Sequence, residues 1–547
     1  MTATETRAHP TPAGEWDVIV VGSGVGGGTL ARALATTGAR ILILERGDFV
    51  PREEANWSPK AVWRDLRYRT DECWLDGDGR TFRPYMHYCV GGNSKFWGAV
   101  LFRMREADFG EIEHADGVSP AWPIDYGTLA PYYALAERCY LVRGASGADP
   151  TEPPRDAYPF PPVPHDPHIE PLVERLRRMG LHPSPLPLGL SSPGTHCVLC
   201  NTCNSFPCYI DAKSEAEQCG VRPAVALGTV RVLTGTRARR LLTDPSGRRV
   251  AAVEVERNGT TERYAAPVVV VSCGAVNSAA LLLRSASDRH PNGLGNTSGL
   301  VGRRYMAHVA TMMQGWSPFR DNRASFQKTV AINDYYLRGP DGGFPLGQLQ
   351  TQGRTHPEQV HYVEPRIPYW MLRLWLRRGF DWLAMTEDLP REDNRVTLEP
   401  DGRIRLAYRP TNMTAHRRLV QVMRRILRRL GYPIVVARSL GTQNTTHQCG
   451  TICFGMDPAT SVLDPFCRAH EVDNLFVVDA SCFPSSAAVN PGLTIAANAL
   501  RVADHIAETE LGCATRPDVY TRGADDWRDE NVGPMHLDQE NLPETIR

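Results

Sequence analysis

Residues 16–47, WDVIVVGSGVGGGTLARALATTGARILILERG, constrain the fold more than any other segment. An apolar strand is expected over Asp17–Val21, a helix over Thr29–Thr36 and a second strand over Ile41–Glu45. Strand, helix and strand in that order form one βαβ unit, whose crossover makes the two strands parallel neighbours in a sheet. At the first junction Gly22, Gly24 and Gly27 form G-x-G-x-x-G, with Ser23 inside it. The first glycine permits the tight turn, the second lets backbone approach a pyrophosphate, and the third lets helix and strand close together. Glu45 ends the second strand about 20 residues on, where an acid accepts hydrogen bonds from an adenosine ribose. These features imply an α/β fold with a Rossmann-like dinucleotide site, without separating FAD from NAD.

A chain of 547 residues accommodates two or three domains. Its 61 basic residues balance 61 acidic ones, so composition argues against nucleic acid and against an anionic membrane as partner. The sequence holds no 18-residue apolar run, and MTATETRAHPTPAGEW lacks the apolar stretch of a secretory signal. The expectation is therefore a cytoplasmic protein without stable membrane insertion, whose 14 cysteines are thiols.

Residues 1–14 read as a flexible lead and 511–547 as a polar tail. Eight prolines within residues 150–167 mark a surface connection. From Thr229 the pattern TVRVLTGTRARRLLTD, RRVAAVEVER, APVVVVSCGA reads as a β-meander returning to the parallel sheet. Residues 414–431 read as an amphipathic helix with Leu419, Met423, Ile426 and Leu427 inward and an arginine face in solvent. Residues 368–384, PYWMLRLWLRRGFDWLA, read as a second helix, buried or forming a lid.

Two further stretches carry chemistry. In AVNPGLTIAANALR, Asn490 reads as an N-cap and Pro491 as the first helical residue, so the helix start offers N–H groups and a positive dipole end to an anion. In CVLCNTCNSFPC, Cys197, Cys200, Cys203 and Cys208 stand at C-x2-C-x2-C-x4-C. Thiolates at such spacing suit an iron–sulfur cluster or a structural zinc, and a metal-free loop uses the same residues.

The βαβ unit, CVGGNSKFWGAV at 89–100, VRVLTGTRA, SCGAVNSAALLLRS and the run from HQCGT to AVNPGLTIAANALR follow one another as in a known family. The chain resembles the glucose-methanol-choline (GMC) flavoprotein oxidoreductases over nearly all of residues 15–508. That resemblance implies FAD. It places Gly91, Gly92, Asn93 and Ser94 beside the isoalloxazine ring, Val232 at adenine, and Asp479 and Ala480 beside the ribityl and pyrophosphate groups. Phe96 stands where some members carry a flavin-linking histidine, so the FAD is expected to be dissociable. The implied organisation is an FAD-binding domain of residues 15–110, 190–310 and 440–510, interleaved with a substrate domain of residues 111–189 and 311–439.

Oxidising an alcohol requires a base for the hydroxyl proton, a polar partner to orient the oxygen, and a hydride acceptor. The resemblance implies His447 as base, Asn490 as partner and flavin N5 as acceptor. A small-molecule alcohol is then the substrate, expected to be a sugar, glycoside, aminoglycoside or cyclitol, with oxygen or another acceptor reoxidising the flavin. An FAD-containing lyase, an NAD-dependent dehydrogenase and a non-enzymatic binding module stay open as alternatives.

Overall fold

A computed structural model of the protein describes residues 15–444 and 446–519. The expected flexible lead and all of the polar tail from residue 520 lie outside them. A five-stranded parallel sheet runs in the order Val230–Leu233, Ile41–Leu44, Val18–Val21, Val268–Val271, Leu475–Val477. Its three central strands are unbroken runs of Val, Ile and Leu, buried throughout, as expected of a sheet covered on both faces. In register, Val18 faces Ile41 on one side and Val268 on the other.

The crossover helix spans Val25–Ala35 and so begins four residues before the expected Thr29. Propensity alone disfavours three glycines in a helix. Tertiary contact overrides it: a Cβ on Gly26 would sit 1.8 Å from the Val478 carbonyl oxygen, and one on Gly27 would sit 2.1 Å from that of Gly22. The meander forms as the sequence implies, from antiparallel strands Thr236–Thr243, Val250–Arg257 and Thr260–Tyr264. It hands the chain back to the parallel sheet at Val268–Val271.

A six-stranded antiparallel sheet faces the first one across a cavity, in the order Ile434–Ser439, Val309–Trp316, Gly379–Thr386, Gln348–Thr351, Val330–Ile332, Pro183–Pro185. Helix Met413–Arg429 packs on it through Leu419, Met423, Ile426 and Leu427, which share a core with Phe380 and Trp382. Arg417, Arg425, Arg428 and Arg429 stand in solvent. Residues 368–384 do not form one helix. They divide into helix Tyr369–Leu376 and strand Gly379–Thr386, because the second half pairs on both edges, with Val309–Trp316 and with Gln348–Thr351. The helix sits as a lid: Leu372, Trp375 and Leu376 line the cavity, and Trp370 and Leu374 are exposed.

The proline-rich connection contains neither helix nor an extended strand, yet it is anchored by charge. Glu137, inside helix Tyr126–Cys139, accepts two hydrogen bonds from Arg103 and two from Arg155, at 2.7–2.8 Å. All three side chains are buried. Truncating Glu137 to Ala would leave the buried Arg103 guanidinium without its carboxylate and Arg155 with only the longer 3.5 Å contact to Glu152. We expect a loss of about 3–5 kcal/mol, read as a lower denaturant midpoint.

Candidate active site

The residues that follow the strands of the parallel sheet at their C-terminal ends open onto one cavity of about 1560 Å³. This is where an open α/β sheet binds its ligand. Gly22, Ser23 and Gly24 follow strand Val18–Val21, Glu45 follows Ile41–Leu44, Ser272 and Cys273 follow Val268–Val271, and Asp479 comes after Leu475–Val477; all line it.

The dinucleotide end has the features a pyrophosphate needs. Gly24 caps the crossover helix without a side-chain hydrogen bond and no acid occupies the first turn, so the helix presents free N–H groups. A Cβ added at Gly24 would meet no atom within 4 Å, only cavity. Glu45 is buried and accepts from the Ser23 amide (3.1 Å), the Ser23 hydroxyl (2.5 Å) and the Gly47 amide (2.9 Å). Burial pushes its carboxyl above the usual range, and these three donors oppose that shift.

Gly91 and Gly92 take left-handed conformations (φ 88° and 56°), which start the turn bearing Asn93 and Ser94. Ser94 Oγ donates to the Gly91 carbonyl and accepts from the Ala216 amide, and Asn93 Oδ1 accepts from the His87 amide. Asp479 accepts from the Gly274 amide and the Ser278 hydroxyl at the start of helix Ala275–Arg284, and from the Ser481 amide. Ala480 also lines the cavity.

Val232 does not. It is held within the edge strand opposite Ile43, and the chain reaches the cavity only after it turns at Gly235, through Thr236, Arg237 and Ala238. Val232 thus lies in the strand that leads into the cavity wall at Thr236, Arg237 and Ala238.

At the other end, His447 and Asn490 meet. Asn490 Nδ2 lies 3.4 Å from His447 Nε2, and both residues line the cavity. Asn490 is not the N-cap that its sequence position implies. Pro491 occupies the cap of helix Gly492–Thr509, no side chain caps that helix, and the Asn490 carboxamide is turned toward His447 instead. Its Oδ1 is buried without a hydrogen-bond partner among the described residues.

His447 Nδ1 lies 2.8 Å from Nδ1 of His308, whose Nε2 lies 3.2 Å from the Ser486 carbonyl oxygen. Burial, reinforced by His308 and Lys328, holds the His447 imidazole well below its usual pKa. Burial likewise lowers that of His308, to about 4.

Opposite these residues the cavity wall is polar. Lys328 is buried, donates to the Gly98 carbonyl and to Asn204 Oδ1, and is pushed down to about 7 by burial. Gln350 Oε1 is buried with no partner. Asp381 accepts from Gln314, Gln327 and Thr355. Sequence reasoning missed His308, Lys328 and Gln350. One signal was available: only four of the 61 basic residues are lysine, and three of these, Lys95, Lys213 and Lys328, are buried. Where arginine is the ordinary surface cation, a lysine marks an interior position.

Family models described as GMC oxidoreductase match residues 162–310 and 390–499. The 6'''-hydroxyparomomycin C oxidase of Streptomyces lividus is 33% identical, covering 92% of this chain and 96% of the relative. The chain belongs to the GMC oxidoreductase family. Paromamine 6'-oxidase of Streptomyces fradiae is 32% identical to this GMC oxidoreductase, covering 90% of it and 91% of the relative. The solved structure of pyridoxine 4-oxidase from Mesorbium loti shares the fold at TM-score 0.63 and 18% identity, covering 90% of this chain and 99% of that one. This GMC oxidoreductase is thus an FAD-dependent enzyme acting on CH–OH donors, and the glycine cradle, the uncapped helix start and the elongated cavity fit that cofactor.

The cysteine loop does not bear out the iron–sulfur alternative. Cys197, Cys200, Cys203 and Cys208 are free, and among the described residues no three His, Cys, Asp or Glu side chains are arranged to hold a metal ion. Lys213 organises the loop instead: its ammonium donates to the carbonyls of Trp97, Cys203 and Phe206. Burial pushes the thiols of Cys197, Cys200 and Cys208 up. Among the described residues no helix is long and apolar enough to cross a membrane.

Proposed function

We propose that this enzyme oxidises a hydroxyl group of an amino sugar or aminoglycoside to a carbonyl, with His447 as base and Asn490 as hydroxyl-orienting partner. The observation that carries the reading is the convergence of His447 Nε2 and the Asn490 carboxamide on one wall of the cofactor cavity. An alcohol oxygen placed between them accepts from Asn490 Nδ2 while its own proton points at His447 Nε2. Proton removal there leaves the carbon ready to release hydride. FAD, when bound, supplies the hydride acceptor. The uncapped start of helix Gly492–Thr509 lines the same wall and favours negative charge beside it by about 0.3–2 kcal/mol.

The substrate class rests on two kinds of support. The two relatives above 30% identity carry names of aminoglycoside oxidases. The wall formed by Lys328, Gln350, Asp381 and Thr355 offers donors and acceptors to a molecule rich in hydroxyl and amino groups. Phe96, buried where a flavin-linking histidine would stand and stacked on His87, supports non-covalent FAD. We also propose that the parallel sheet and its meander form the cofactor half and the six-stranded sheet the substrate half, that oxygen or another small acceptor closes the cycle, and that the enzyme works in the cytoplasm.

Anaerobic mixing of the FAD-loaded enzyme with paromamine or with fructose tests this reading. Stoichiometric bleaching of the flavin by paromamine is expected. Bleaching by fructose alone would move the substrate class to neutral sugars, and bleaching by no alcohol would remove the reading in favour of a non-redox use of the cofactor.

A further inference from the structure

His308 is buried, shares no motif with His447, and lies 139 residues from it in sequence, yet the two rings touch through a nitrogen–nitrogen contact of 2.8 Å. Two nitrogens at that distance need one proton between them, and the surrounding groups decide who holds it. A carbonyl oxygen only accepts, so the 3.2 Å contact with Ser486 O requires a proton on His308 Nε2. In the neutral ring this makes His308 Nδ1 the acceptor. The shared proton then belongs to His447 Nδ1, and His447 Nε2 is left with its lone pair facing Asn490 and the cavity.

We propose that His308 is a positioning residue that fixes the tautomer of His447, so that Nε2 rather than Nδ1 is the base. This role rests on the proposed alcohol oxidation for its kinetic consequence, though the tautomer itself does not. The chain Ser486 C=O, His308, His447 has a second effect. When His447 Nε2 takes the hydroxyl proton, its Nδ1–H is already donated to a lone pair, and that hydrogen bond becomes charge-assisted. A buried imidazolium that would otherwise be costly is thereby stabilised where it forms. No proton leaves the pair during the step: it moves from the substrate oxygen to His447 Nε2, and His308 keeps the one on its own Nε2.

The orientation of His308 is secured from several elements. The preceding residue, Ala307, donates its amide to Asp388, a carboxylate that Thr411 and Tyr408 also hold. Ser486, which supplies the accepting carbonyl, is tied to the backbone of the same Asp388 by its hydroxyl. The charged groups that act on the pair are Glu387, from the segment after strand Gly379–Thr386, on His308, and Lys328, before strand Val330–Ile332, on His447; Asp388 is engaged with the Ala307 amide. Glu387 is engaged by His114 and Ser119.

The test uses the FAD-loaded enzyme with 15N-labelled histidine, the His447 signals being assigned by their absence in H447N. His447 should show a protonated Nδ1 and an unprotonated Nε2; the reverse tautomer would overturn the proposal whether or not any alcohol is oxidised. In single-turnover reduction by alcohol, His308→Leu should lower the rate about a hundredfold with KM changed less than about threefold, because the base then populates the wrong tautomer. His308→Gln, whose carboxamide can accept from His447 and donate to Ser486, should return the rate to within about tenfold of wild type. A His308→Leu enzyme with the wild-type rate, or an FAD-loaded His308→Gln enzyme no faster than His308→Leu, would refute the positioning role. If the wild-type flavin is bleached by no alcohol, the functional reading fails while the tautomer measurement still decides this one.

Discussion

Replacing His447 with Ala or Gln is expected to slow reduction of bound FAD by alcohol about 10²–10⁴-fold while leaving the cofactor in place. The two halves of this expectation have separate physical grounds. The cavity residues that fit the dinucleotide belong to the glycine turn, Glu45, the 91–94 turn and Asp479, none of which hydrogen-bonds to His447. Rate, by contrast, depends on a lone pair at one point, and neither Ala nor Gln carries a nitrogen base there. The pH profile gives the second readout. Only neutral His447 accepts a proton, and burial with the nearby His308 and Lys328 depresses its pKa, favouring the neutral form. In the wild type kcat/KM should therefore stay level as pH falls through 6.5 and drop only well below it. A fall centred at or above that value would assign the limb to another group. In His447→Gln the acid limb should vanish along with most of the rate. Asn490→Ala should cost less, about 10–100-fold, because it removes one hydrogen bond to the substrate oxygen and leaves the base intact.

What the sequence discloses about this enzyme follows the range over which each cause acts. Gly22, Gly24, Gly27 and Glu45 are legible because a turn, a helix start and a strand end are local, and spacing alone carries them. His447 and Asn490, 43 residues apart, are legible only through resemblance to a family, since nothing in their neighbourhoods announces that they touch. His308 is not legible at all: it precedes an ordinary strand, and its meeting with His447 depends on how the segment bearing Ser486 returns to the cavity. Gaps have the same origin. A strand's apolar pattern does not say where it turns: past Val232 the chain enters the cavity wall only after Gly235 makes the turn. The segment 368–384 reads as helical throughout, yet two neighbouring strands capture its second half. The four-cysteine spacing leaves a cluster, a zinc site and a metal-free loop open, because it does not disclose that a buried ammonium, Lys213, shapes that loop.

Gly26→Ala and Gly24→Ala, two substitutions within one turn of helix, are expected to fail in opposite ways. At Gly26 the added carbon would sit 1.8 Å from the Val478 carbonyl oxygen and 2.7 Å from Ser272 Oγ. Helix and strand backbones meet there, so neither can yield without opening the parallel sheet. The cost should lie at or above the upper end of the about 1–3 kcal/mol usual for overpacking. The variant should melt far below wild type or collect in the insoluble fraction, and added FAD should not rescue it. At Gly24 the same carbon would meet nothing within 4 Å, and the backbone (φ −68°, ψ −166°) suits an L-residue. That variant should fold with a cofactor-free melting temperature equal to wild type or slightly higher, since Ala restricts the unfolded chain by about 0.4–1 kcal/mol. Its FAD affinity should nonetheless fall about 10–100-fold, because the methyl group stands in the space through which a pyrophosphate approaches the uncapped helix N-terminus. Titration of the two variants with FAD, alongside melting curves with and without it, separates these outcomes. A Gly24→Ala enzyme that binds FAD as tightly as wild type would show that this space is not the pyrophosphate's. Weak FAD binding in a variant as stable as wild type would locate the phosphate contact at the one glycine of the motif whose missing side chain serves the ligand and not the packing.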